Sequence, residues 1–183
     1  MKHISLYFIG ICTAFLFASC GKNIKISQQT EKEISIFPDY KNVTIPYNIA
    51  PLDFSVNGNA KYQLIISDSN HSFQVEEANG FFDIPISKWK EILQQNKDKS
   101  ILFTICELQG KKWVAYKPFR IDIAKESIDP YIAYRLIPPG YELWNEMGIY
   151  QRDLSSFDQS CIYKNTLSDK NCINCHSFCM QNP

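Results

Sequence analysis

Near its end the chain carries Cys172-Ile173-Asn174-Cys175-His176, two thiols separated by two residues with an imidazole directly after the second. Attachment of a c-type haem asks for this order. Each thiol adds across one vinyl group of the porphyrin, the two intervening residues span the ring edge, and the adjoining imidazole becomes the proximal iron ligand. Cys172 and Cys175 are therefore the candidate thioether positions, and His176 is the candidate iron ligand.

Other chemistries use the same residue types. The cysteines could serve as disulfide staples, with His176 an ordinary polar residue. Cys161, Cys172, Cys175 and Cys179 could form an all-thiolate zinc site, or three of them could bind zinc together with His176. A thioredoxin-type redox pair also uses C-x-x-C, but the βαβ pattern that accompanies it is missing from the sequence. For a haem, the candidate distal ligand is Met147, which would give the Met/His ligation of a cytochrome c. Met180 is too near His176 to cross the ring, and His71 sits among turn residues, where a surface polar role is expected. With Cys172 and Cys175 on a haem, Cys161 and Cys179 are expected to pair in an oxidising compartment and close a loop around the motif. Cys106 lies in the apolar run Ile101 to Leu108 and is expected as a buried, unpaired thiol on a central strand.

The first residues say how such a centre would be housed. Lys2 gives a positive start, Ile4 to Phe17 run without charge, and Ala18 and Ser19 are small residues directly before Cys20. This is the layout of a secretory signal, too short for a transmembrane helix. Phe17-Ala18-Ser19-Cys20 further reads as a lipobox, which needs a free thiol on the residue after the cut to take a diacylglycerol. Residues 1–19 are thus expected to be removed and Cys20 to anchor the mature chain in a membrane. Removing Lys2 leaves 18 Lys+Arg against 19 Asp+Glu, a net charge of −1 and no basic stripe, which argues against a nucleic-acid partner. No Ser/His/Asp array, paired carboxylate or phosphate loop stands out, so the chain is expected not to be an enzyme beyond a redox carrier.

The elements that must position the motif are mostly strands. Residues 20–37 are polar, with little periodicity, and read as a tether. Over residues 38–126, short β-type runs such as Leu52 to Val56, Lys61 to Ile66 and Ser72 to Val75 alternate with turn residues. Ile101 to Ile105 and Trp113 to Tyr116 flank a hairpin signal at Gln109-Gly110-Lys111. One helix interrupts them, with Ser87 as its expected cap and Trp89, Ile92 and Leu93 on one face. The pattern predicts a mainly β fold, an immunoglobulin-like antiparallel β-sandwich with one short helix. Residues 127–183 follow as an aromatic-rich, irregular, cysteine-containing segment broken by Pro138-Pro139-Gly140. Its many Tyr and Phe residues must lie on something, whether sandwich, prosthetic group or partner.

Four stretches together resemble one family. They are Tyr47 to Phe54, Asp129 to Ile137, Gly148 to Arg152, and Asn171 to Phe178 with its C-x-x-C-H. The family is the Bacteroidetes lipoproteins labelled TolB-like or cytochrome-c-biosynthesis-like, and the similarity covers nearly the whole mature chain. It implies an N-terminal immunoglobulin-like region and the cysteine segment, followed by a long β-propeller. This sequence stops at Asn182-Pro183, where the family would continue, so no propeller activity carries over. In lipoproteins of that type an acidic cluster behind the anchor resembles a surface-export signal. Gly21-Lys22-Asn23-Ile24-Lys25 has none, which implies the periplasmic face of the outer membrane. Two functions follow as expectations. One is an anchored haem-c protein for electron transfer or redox sensing with a redox protein as partner. The other is a non-catalytic module whose aromatic segment docks a β-propeller or envelope partner.

Overall fold

The structure is a computed structural model and describes residues 23–137 and 147–171. Its centre is β8 (Lys99–Gln109), which pairs along one edge with β5 (Tyr62–Ser67). Along its other edge it changes partner. The first half pairs with β10 (Phe119–Ala124) and the last residues with β9 (Lys112–Ala115). Beyond β5 the sheet continues through β6 (Ser72–Ala78), β7 (Phe81–Phe82), β4 (Ser55–Val56) and β2 (Ile36–Phe37), while β3 (Thr44–Pro46) pairs with β10. The sheet curls so that its apolar face closes on itself, the mainly β, sandwich-like fold expected from the strand spacing. Two strand pairs are parallel, β3 with β10 and β1 (Ile26–Gln29) with β9.

The core follows from alternation. Leu64 and Ile66 on β5, Ile101, Phe103 and Ile105 on β8, and Ile121 on β10 point inward and are at most 1 % exposed. Phe54, Phe82, Phe103 and Phe119 form a chain of ring contacts between them. α1 (Ile86–Gln95) closes this core with Trp89, Ile92 and Leu93, the face its periodicity predicts. The Trp89 ring meets Phe103 edge-on, and its indole N–H donates to the Ile49 carbonyl at 2.9 Å, so the polar edge of a fully buried ring is satisfied. The turns are where the sequence marks them. Asn79 and Gly80 both take positive φ in the two-residue β6–β7 connection, as a hairpin of matching twist requires.

Three expectations change. Residues 20–37 are not simply a tether, because Ile26–Gln29 and Ile36–Phe37 are strands of the sandwich. The N–H and C=O groups along the free edge of β9 take up the first of these, and Ile34 and Ile36 pack on the core. Ser87 does not cap α1. The helix begins two residues earlier, at Ile86, from an extended Pro85 whose carbonyl accepts from Trp89 N at 2.9 Å. The segment after residue 127 is not irregular throughout, since it contains a second antiparallel sheet of three strands.

Candidate functional site

The second sheet consists of β11 (Tyr131–Leu136), β12 (Gly148–Asp153) and β13 (Gln159–Lys164), in that order. One end is rooted on the sandwich. The Ala50 amide donates to the Leu154 carbonyl at 2.7 Å, and the Lys90 ammonium reaches Ser155 Oγ at 3.2 Å. Asn48 exchanges two hydrogen bonds with the Ile128 backbone at the approach to β11. At the other end Leu136, Gly148 and Lys164 lie side by side in register. There the Asn165 amide donates to the Met147 carbonyl at 3.1 Å, and both side chains are buried. A 3-10 turn, Asn165–Ser168, follows and is closed by Lys170 N–H on the Asn165 carbonyl and Asn171 N–H on the Ser168 carbonyl. Cys172 is the next residue.

Register assigns the faces. Tyr134, Tyr150 and Cys161 lie across from one another on one face, with Ile132, Leu136 and Gly148. The Tyr134 and Tyr150 rings stack at 6.2 Å, and the Tyr134 hydroxyl donates to Gln159 Oε1 in a short hydrogen bond. Tyr150 also lies over Gly148, where a Cβ would stand 2.7 Å from its ring. The strand leading to the motif therefore borders a mixed surface, in which the Tyr134–Tyr150 stack lies between Arg152 and Gln159 at one end and Lys164 at the other, partly open to solvent with Ile132 and Leu136 exposed. Cys161 is an exposed thiol there.

Of the residues singled out in the sequence, Cys20, Cys172, Cys175, His176, Cys179 and Met180 lie outside the described residues. Met147 is described and lies at the end of the sheet from which the motif segment departs. Cys161 is placed on the aromatic face; its expected partner, Cys179, is outside the described residues. Cys106 is fully buried and unpaired on the central strand, as expected, and burial pushes its thiol up to about 11. His71 belongs to the β5–β6 turn of the sandwich, its amide donating to Asp68 Oδ1 at 2.7 Å and its ring exposed.

Sequence reasoning missed the group around Asp68. This carboxylate is 5 % exposed and accepts from Asn70 N, His71 N and the Asn96 side-chain amide, each at 2.7 Å. Burial is the largest single influence and raises the carboxyl. The Asn96, Asn70 and His71 hydrogen bonds and the His71 charge together outweigh it, and the carboxyl falls to about 2. Asn96 also donates to the Ile92 carbonyl at 2.8 Å, so the group ties the β5–β6 turn to the last turn of α1. Only the Asp68-Ser69-Asn70 turn signal could have pointed to it.

Among the described residues no three His, Cys, Asp or Glu side chains are grouped to hold a metal ion. A haem would draw its donors from the motif, which lies outside the described residues, and from Met147, whose side chain is buried. An imidazole plus a thioether is a donor set that haem iron takes. Comparison with known proteins returns no matching family model, no similar curated protein and no matching solved structure.

Proposed function

We propose that this chain is an outer-membrane lipoprotein, anchored through Cys20 and facing the periplasm as its anchor region implies, that binds a c-type haem for electron transfer or redox sensing. Cys172 and Cys175 form the thioethers: each S–H adds across a vinyl C=C, the sulfur to one carbon and the proton to the other, with nothing lost. His176 is the proximal ligand, and the bound group supplies one-electron chemistry at iron. One observation carries the reading. The chain runs into the C-x-x-C-H segment from the end of the small sheet where the Asn165 backbone amide donates to the Met147 carbonyl, which supports Met147, a buried side chain near the start of that segment, as the second donor.

The test is attachment itself. In a host with c-type maturation, the purified protein should stain for covalent haem on a denaturing gel. Cys172→Ala with Cys175→Ala should abolish the stain, and His176→Ala should shift the visible spectrum or prevent maturation. An unstained, normally folded wild-type protein counts against the reading.

A second reading has an observation of its own. Ile132, Leu136, Ile137, Ile162 and Leu167 are all at least 42 % exposed on or beside the small sheet. Exposed apolar side chains on and around the small sheet favour a docking module for a β-propeller or other envelope partner, with the cysteines as disulfide staples. A Cys172–Cys175 disulfide found by non-reducing peptide mapping would select this reading over haem.

A further inference from the structure

The two faces of the main sheet have different occupants. On β8, Phe103 and Ile105 face the core, so Thr104 and Leu102 face outward. On β6, Phe73 and Val75 face the core, so Gln74 faces outward; on β5 the same alternation puts Gln63 outward, opposite Cys106. Cys106 and Gln63 are nevertheless buried on this outer face. The N-terminal segment lies there. The Ile24 amide donates to Gln74 Oε1 at 2.8 Å, Gln63 Nε2 reaches the same oxygen at 3.5 Å, and Ile26 stands in register with Trp113.

The small sheet is rooted on the opposite side. α1 packs on the inner face through Trp89 and Phe103, the Trp89 indole holds the Ile49 carbonyl, and Ala50 and Lys90 hold Leu154 and Ser155.

Only four steps of chain separate Ile24 from Cys20, which at about 3.3–3.6 Å per residue reach at most about 14 Å. A domain of this size, with a radius of gyration near 13 Å, is roughly 30–35 Å across. So short a link cannot carry a lipid round to the far side.

We propose that the bilayer surface lies against the outer face of the main sheet, around Gln74 and Leu102, and that the small sheet, from which the chain runs on to Cys172, is held on the side away from the lipid. This rests on the reading of Cys20 as the anchor. It deepens the proposed function by naming the class of partner. A centre carried on the far side exchanges electrons with, or docks to, a water-soluble or peripheral protein; a lipid-borne quinone stays in the bilayer on the other side. Leu102 suits the membrane side, as an exposed apolar residue about 12 Å across the sheet from Gln74 on strand and residue spacings.

The lipidated full-length protein tests this in phosphatidylcholine–phosphatidylglycerol vesicles. Leu102→Cys and Phe157→Cys are each labelled with the same fluorophore in a Cys161→Ser, Cys179→Ser background; both positions are 44 % exposed, so they differ in side and not in accessibility. Emission is compared with and without nitroxide-headgroup lipid, and flotation is scored on the same sample. The expected result is a several-fold larger loss of emission at position 102 than at 157. Equal loss, or greater loss at 157, in protein that floats overturns the orientation and leaves the anchor standing. Protein that fails to float overturns the anchor and the orientation with it.

Discussion

Asp68→Asn removes one charge from the latch between the β5–β6 turn and α1 while keeping its shape. The folded carboxyl lies at about 2 against an ordinary 3.8, a depression of nearly two pH units. At about 1.4 kcal/mol per unit this corresponds to about 2 kcal/mol of stability at neutral pH. Because the folded value is depressed, that stability is fully present above the unfolded value of 3.8 and is lost as the pH falls from there towards 2. Urea unfolding of the mature chain followed by Trp fluorescence measures it. With an m-value near 2 kcal/mol/M, Asp68→Asn should lower the midpoint by about 1 M at pH 7. The gap between variant and wild type should close as the pH approaches 2. Taking the difference between the two proteins cancels Glu107 and Asp153, whose carboxyls are also depressed, the first chiefly by Tyr116 and the second by the Ser155 amide. A gap that is absent at pH 7, or that persists unchanged to pH 2, would refute the assignment of Asp68 as a charged latch.

Trp89→Ala should cost about 3–5 kcal/mol, since it empties a fully buried site and strands the Ile49 carbonyl; thermal unfolding by circular dichroism reads this. Gly148→Ala should cost about 1–3 kcal/mol and weaken the near-ultraviolet signal of the Tyr134–Tyr150 stack, because a Cβ there meets the Tyr150 ring. Cys106 should react with a thiol reagent only after denaturation, whereas Cys161, if not paired, should react in the native protein; rapid native labelling of Cys106 would contradict its burial. Cys20→Ala should leave the protein unprocessed or soluble on membrane fractionation, and unchanged membrane association would contradict the anchor.

What was legible in the sequence was what local periodicity encodes. Trp89, Ile92 and Leu93 fall on one face because helical spacing puts them there, and the run from Ile101 to Leu108 has the apolar density of a central strand. Gln109-Gly110-Lys111 carries its own turn chemistry, with Gly110 at φ +63°. What was not legible depends on distant partners. Ile26–Gln29 is a strand only because the edge of β9 stands beside it, and its own sequence, Ile-Ser-Gln-Gln, has little strand character. The small sheet was hidden for a related reason. Tyr-Ile-Ala-Tyr-Arg-Leu and Gln-Ser-Cys-Ile-Tyr-Lys do not alternate polar and apolar residues, because neither face of that sheet is fully buried. The motif at Cys172 could be read without any fold, since two thiols and an imidazole at fixed spacing carry their chemistry in the sequence. The placement of Met147 beside Asn165, and of Ile24 on Gln74, could not.

The proposed function stands or falls with a covalent haem on Cys172 and Cys175 and His176 on its iron. The most direct measurement is the visible spectrum of the purified protein in alkaline pyridine, paired with the intact mass of the same sample. A covalently held c-type haem gives its haemochrome bands and a chain heavier by one haem. A colourless protein, with Cys172 and Cys175 recovered as a disulfide or as free thiols from a host that matures other c-type cytochromes, would contradict it.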